Sequence, residues 1–75
     1  MKTAIEIFVI EKVKQKRIDA GFSQVELAEH LGLSSGFIGK IESFKFNTKY
    51  NLNHIAALSK IFNCSPKDFF PDIIE

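Results

Sequence analysis

The stretch Gln24-Val25-Glu26-Leu27-Ala28-Glu29-His30-Leu31-Gly32-Leu33-Ser34-Ser35-Gly36-Phe37-Ile38-Gly39-Lys40-Ile41-Glu42 decides the fold. Leu27, Ala28 and Leu31 recur at helical spacing and mark one buried face. Ser23 precedes them with Glu26 three positions on, the spacing of a capping box, and Gly32 supplies the stop. This predicts a short helix over 24–31. Ser34 then reads as the cap of a second helix over 35–42, with Ile38 and Ile41 on its inner face. Gly32-Leu33-Ser34 is too tight a connection for antiparallel packing, so the two helices must cross steeply. Ala28 is small enough to let them approach.

Outward from this corner the punctuation is helical throughout. Thr3 and Glu6 form another capping box, and Ala20-Gly21 is a stop, giving a first helix over about 4–20. Ile5, Ile7 and Val9 would also suit a short strand. A polar connection, 43–50, leads to a fourth helix capped by Asn51, with Leu52, Ile55, Leu58 and Phe62 as its core stripe. Ser65-Pro66-Lys67-Asp68 opens a last turn, Phe69 and Phe70 close the core, and Pro71 ends it. The expectation is an all-α, compact bundle of about five short helices, one domain over 1–75.

Composition narrows the function. With 45% hydrophobic and 25% charged residues in 75, the chain reads as a soluble globule. No apolar run approaches the ~20 residues of a membrane span. Ile7-Phe8-Val9-Ile10, between Glu6 and Glu11, is no signal-peptide core. One cysteine rules out an internal disulfide and fits a reducing cytosol, so the expected location is cytoplasmic. One Cys and two His lack the spacing of a zinc site, and no cofactor is expected. A core this small calls for a supplement, and oligomerisation is the one left. Ten Lys+Arg against nine Asp+Glu give a net charge of only +1. The distribution matters more: Lys12, Lys14, Lys16 and Arg17 cluster, as do Lys40, Lys45 and Lys49, while Asp68, Asp72 and Glu75 gather at the C-terminus.

The spacing of 24–42 is that of a helix-turn-helix. Arg17, Gly21-Phe22-Ser23-Gln24, Glu26-Leu27-Ala28, Leu31-Gly32, Ser34, Ile38 and Ile41-Glu42 together resemble the Cro/C1 type, the phage-repressor and xenobiotic-response-element class. Leu52, Ile55-Ala56, Leu58, Cys64-Ser65-Pro66 and Phe69 suit the fourth and fifth helices of that lambda-repressor-like fold, and residues 1–9 fall outside the pattern. The resemblance implies that helix 24–31 lies across the DNA backbone with Ser23 and Gln24 near phosphates, and that helix 35–42 enters the major groove. A core face on Ile38 and Ile41 independently turns Gly36, Gly39 and Lys40 outward, with Ser35 at the margin and Phe37 flanking. These are the candidate base readers, and Ser34 joins the DNA-binding candidates beside its cap role. Lys49, Tyr50 and Asn51 fall where such proteins contact phosphate again, and Lys45 joins them through the lysine cluster. Arg17 and Glu42 fall on positions that often pair, tying the first helix to the recognition helix.

Two departures from the family pattern stand out. Ser43-Phe44 occupies the place of the glycine or asparagine that usually takes a left-handed turn after the glutamate. Gly36 and Gly39 each cost up to ~1 kcal/mol of helix propensity and offer no side chain to a base. They imply either relaxed specificity, with the backbone close to the groove, or selection by neighbouring side chains. Gly32-Leu33-Ser34-Ser35-Gly36 matches the G-x-S-x-G hydrolase pattern, but that motif needs a strand before it. No acid, base and nucleophile set converges, so an enzyme is not expected. Cys64 reads as a small core residue, and His30 and His54 as surface or cap-adjacent residues. Phe44 and Phe46 read as loop anchors folded onto the core, or else as contacts for a second subunit. Ile5, Phe8 and Val9 either cover the core or form a dimer interface. The expected function is a sequence-specific DNA-binding regulator, a repressor acting as a homodimer on a pseudo-palindromic double-stranded DNA site. An antitoxin is a close variant, with a toxin or polymerase as the possible protein partner. The rival is a helical protein-interaction module that keeps the fold without binding DNA.

Overall fold

Side-chain caps set where the helices of this chain begin. In the computed structural model, which describes residues 1–73, Thr3 opens α1 (Ala4–Asp19), Ser23 opens α2 (Gln24–Leu31) and Asn51 opens α4 (Leu52–Ile61). Ser65 opens a single 3-10 turn, Pro66–Phe69. In each of the four, the cap side chain accepts an early backbone N–H while the residue at the third position reaches back to the cap amide. In α4 that residue is His54, whose Nδ1 accepts from the Asn51 amide at 3.0 Å. The strand alternative for residues 5–9 is not taken up. The all-α class is as expected, although the fifth element is a 3-10 turn and not a fifth α-helix.

Glycine ends the first two helices. Gly21 and Gly32 have φ of 77° and 70°, a left-handed conformation that a side chain would strain. Leu33 N–H then reaches the Ala28 carbonyl at 2.9 Å, and Phe22 N–H the Arg17 carbonyl at 3.0 Å.

The remaining helix, α3 (Phe37–Glu42), begins later than its sequence suggested. Ser34 does not cap it: Gly36 occupies the cap position and no side chain accepts the first amides. Instead the Ser34 carbonyl accepts the Phe37 N–H at 3.0 Å, so Ser34-Ser35-Gly36-Phe37 forms a turn that feeds straight into the helix. The backbone does what the hydroxyl was expected to do.

Val13, Leu27, Ala28, Ile38, Ile41, Leu58 and Phe69 are fully buried, and Val9, Ile10 and Ile55 nearly so. Ser59 is buried as well, its hydroxyl donating to the Ile55 carbonyl at 2.9 Å. Leu31, Phe62 and Cys64 are half-buried at the margin of this core. Two expectations fail at the edges. Leu52 is 81% exposed, because the first turn of α4 overhangs the end of the core and the buried stripe starts at Ile55. Phe44 and Phe46 are not folded inward but stand 75% and 47% exposed. The chain leaves α3 in extended conformation, which carries the loop away from the hydrophobic centre.

Candidate nucleic-acid interface

A buried polar knot fixes α3 against the rest of the bundle. Arg17, on the inner face of α1, donates from Nε to Glu42 Oε2 at 2.9 Å and from an Nη to Oε1 at 3.0 Å. Its other Nη donates to the Phe22 carbonyl at 2.8 Å, in the turn before α2. Gln24, the first residue of α2, donates to Glu42 Oε1 at 3.0 Å. The side chains of Arg17 and Glu42 are only 10% and 4% exposed, so both charges are desolvated and each satisfies the other in a two-pronged pair. This is the pairing the sequence suggested, with Gln24 as an added member.

Gln24 was expected near phosphate. In the unbound chain its exposed side chain lies across α3, where a Cβ on Gly39 would stand 3.3 Å from Gln24 Oε1. Gly39 is thus half-covered by Gln24, while Gly36 has open space around it. Ile38 and Ile41 point inward, fully buried, and Lys40 points outward, exposed. Phe37 is half-buried with its ring edge-on to His54, centroids 5.6 Å apart. Ser34 and Ser35 are exposed in the turn ahead of α3. Ser23 Oγ accepts from the Glu26 amide at 3.0 Å, at the exposed start of α2. Bonds from the Ser23 amide and hydroxyl in turn hold the Glu26 carboxyl below its usual range.

The loop from Ser43 to Tyr50 is tied at both ends by the start of the chain. Lys2 Nζ donates to the carbonyls of Ile41 and Ser43, the latter at 2.6 Å. It serves carbonyls at the C-terminus of α3 that a left-handed glycine turn would otherwise serve, which accounts for the missing glycine after Glu42. At the far end, Lys49 Nζ pairs with Glu6 Oε2 at 2.7 Å. The Lys49 ammonium and the Thr3 cap hold the exposed Glu6 carboxyl down at about 2. Lys45 is exposed on the loop, its amide donating to Ser43 Oγ at 3.2 Å. Asn51 is exposed but uses Oδ1 to accept the His54 amide at 2.8 Å. Tyr50 is placed differently from its expected role. Its hydroxyl is buried and, among the described residues, meets no hydrogen-bond partner. Burial, with Glu42 nearby, pushes its phenol well above the usual range.

The geometry is that of two short helices locked at a fixed crossing with one face of α3 open. The family description Cro/C1-type HTH DNA-binding domain matches residues 12–73. The chain belongs to this Cro/C1-type family. A crystal structure of a hypothetical transcription factor, NHTF, from Neisseria has the same fold: TM-score 0.71 at 18% identity, covering 95% of this chain and 86% of that one. No curated protein matches the sequence.

In this Cro/C1-type domain, the elements around α3 lie within the matched segment, whereas Lys2 and Glu6 precede it. Neither was expected to touch the loop. A lysine just ahead of a capping box is too common a pattern to signal a contact 39 residues away. Among the described residues, no three His, Cys, Asp or Glu gather as a metal site, and no helix is long and apolar enough to cross a membrane. Ser34 of the hydrolase-like pattern sits in an exposed turn between helices, with no strand before it.

Proposed function

We propose that this DNA-binding domain is a sequence-specific transcriptional regulator, a cytoplasmic repressor that occludes a promoter as a homodimer. The observation that carries the reading is the knot of Arg17, Glu42 and Gln24, which fixes α3 against α1 and α2, while the buried Ile38 and Ile41 leave Lys40 facing outward. A reading helix held this way meets the groove without reorganising. Lys40 would read a base edge, supported by Gly36, Gly39, Ser34, Ser35 and Phe37 in close approach. Ser23, Gln24, Lys45, Lys49 and Asn51 would sit towards phosphates. Six residues of α3 touch few bases, so useful affinity needs two half-sites about one turn, ~10 bp, apart or a multiple of it. Ile5 and the exposed Phe8 remain candidates for the contact between protomers; Val9 is in the core. An antitoxin role is a variant of the same chemistry.

Selection of bound duplexes from a random-core DNA pool tests the reading. The expected result is an enriched pseudo-palindrome that sediments with two protomers. An apolar groove of about 340 Å³ between α1 and α4, lined by Ile5, Val9, Leu52, Ile55 and Phe70, favours the rival, a protein-interaction module. Absence of any enriched duplex selects that rival.

A further inference from the structure

The outer face of α3 is nearly bare. Ile38 and Ile41 are turned into the core, Gly39 lies under Gln24, Gly36 has no side chain, and Phe37 is half-buried against His54. Lys40 is the long side chain that this helix sends into solvent. What stands beside it comes from the loop. The Lys40 ammonium lies 5.8 Å from the centre of the Phe46 ring, and that phenylalanine is 47% exposed. Phe44 is more exposed, but it sits on the other side, over a shallow groove with Lys2, Ile7 and Ile10 of the chain's start. So Phe46, and not Phe44, borders the open face.

We propose that Phe46 is a specificity-determining residue of this domain: its ring takes the 5-methyl group of a thymine within two positions of the guanine that Lys40 reads. The inference rests on the DNA-binding reading of α3 and adds to it the apolar half of the recognised sequence. The major groove presents one apolar group on its floor, the thymine methyl, and side chains such as phenylalanine contact it. A lysine donates to guanine O6 and N7 in the same groove. The separation of cation and ring matches one or two base steps, each about 3.4 Å, which places the thymine one or two positions from the guanine. The ring also restrains the lysine, because an ammonium over an aromatic face is attracted to it and loses few rotamers on docking. A half-exposed phenylalanine beside a bare helix face thus acquires a partner of matching chemistry when α3 enters the groove.

The experiment begins with the duplex selected by the wild-type protein from a random-core pool. Each thymine of that site is then replaced by uracil, which removes only the methyl group. At one thymine and at its symmetry mate, each single replacement is expected to lose about fourfold in affinity, the worth of one buried methyl. Phe46→Ala should show no loss at that thymine and, reselected on the same pool, no preference there. Phe46→Leu, which keeps an apolar side chain, should retain the thymine preference. Both variants should melt as the wild type does, since Phe46 lies outside the core. Indifference of the wild type to every uracil, or an undiminished uracil effect in Phe46→Ala, overturns the proposal while leaving DNA binding in place. Failure of any duplex to be enriched overturns the DNA-binding reading itself, and this inference with it.

Discussion

Gln24 lies across Gly39, its Oε1 3.3 Å from the place of a Cβ there, while its amide nitrogen donates to Glu42 at 3.0 Å. The glycine that weakens α3 thereby leaves room for the side chain that braces it. Gly39→Ala adds helix propensity worth up to ~1 kcal/mol and pushes only on the tip of a flexible side chain. The expected outcome is a modest gain in melting temperature. In a Gln24→Ala background the gain should be larger, since nothing is then displaced. A loss of stability in Gly39→Ala would mean that Gln24 cannot give way.

Arg17→Met leaves Glu42 charged, buried and without its two-pronged partner. A loss of about 3 kcal/mol is expected, a large part of the stability of a domain this small. Thermal melts should show it, with all DNA sites weakened together through unfolding. Arg17→Met with Glu42→Leu should recover much of the loss. An unchanged melt with binding abolished would make Arg17 a phosphate contact.

If Lys49 docks on a phosphate, as proposed, its pairing with Glu6 competes with DNA. In Glu6→Gln the lysine is free in the unbound protein, so docking it on a phosphate no longer leaves a carboxylate behind. Affinity for every duplex should rise, and the salt dependence should steepen by about one ion. The pair is exposed and adds little stability. Its pH signature is still defined: a carboxylate lowered from 4.5 to about 2 contributes fully above 4.5 and loses that contribution as pH falls towards 2. Melting curves of the wild type and Glu6→Gln should converge across that window and stay offset above it.

The Tyr50 hydroxyl is buried without a partner among the described residues, a position that costs about 1–3 kcal/mol when water is excluded. Tyr50→Phe should therefore melt no lower than the wild type. Its phenol is raised, so the neutral form is the one folding favours, and the wild type should lose stability as pH rises beyond 10 where Tyr50→Phe does not. Quantitative DNA binding separates two roles: unchanged affinity keeps Tyr50 in the packing, and a loss places its hydroxyl on phosphate.

Lys40 and Lys49 should part company under alanine substitution. Lys40→Ala is expected to cost ~1–3 kcal/mol on the selected site and to relax choice at one G·C pair. Lys49→Ala should weaken all duplexes alike, with the preferred sequence unchanged. Binding and preference both untouched by Lys40→Ala would remove α3 from the groove.

Much of this was legible because local rules act on few residues. Thr3, Ser23, Asn51 and Ser65 each announce a helix or turn by one side chain and a partner three positions on. Ile38 and Ile41 likewise set the direction of Lys40 by periodicity alone. Three features escaped the sequence for a shared physical reason. Ser34 lost its cap role to a backbone turn of equal reach. Leu52 kept the spacing of a core residue beyond the end of the core. The contacts of Lys2 and Glu6 join residues far apart in the chain, and neither a lysine on backbone carbonyls nor a surface ion pair leaves a periodic trace.

Those two residues couple the start of the chain to the loop that follows α3. Met1 is one residue from the ammonium that braces Ile41 and Ser43, so a fluorophore on the terminal amine would serve as an optical reporter of that loop, brightening or dimming as it shifts. By the same geometry, an affinity tag fused ahead of Met1 would be felt as a DNA-binding phenotype, with no change in α3 itself.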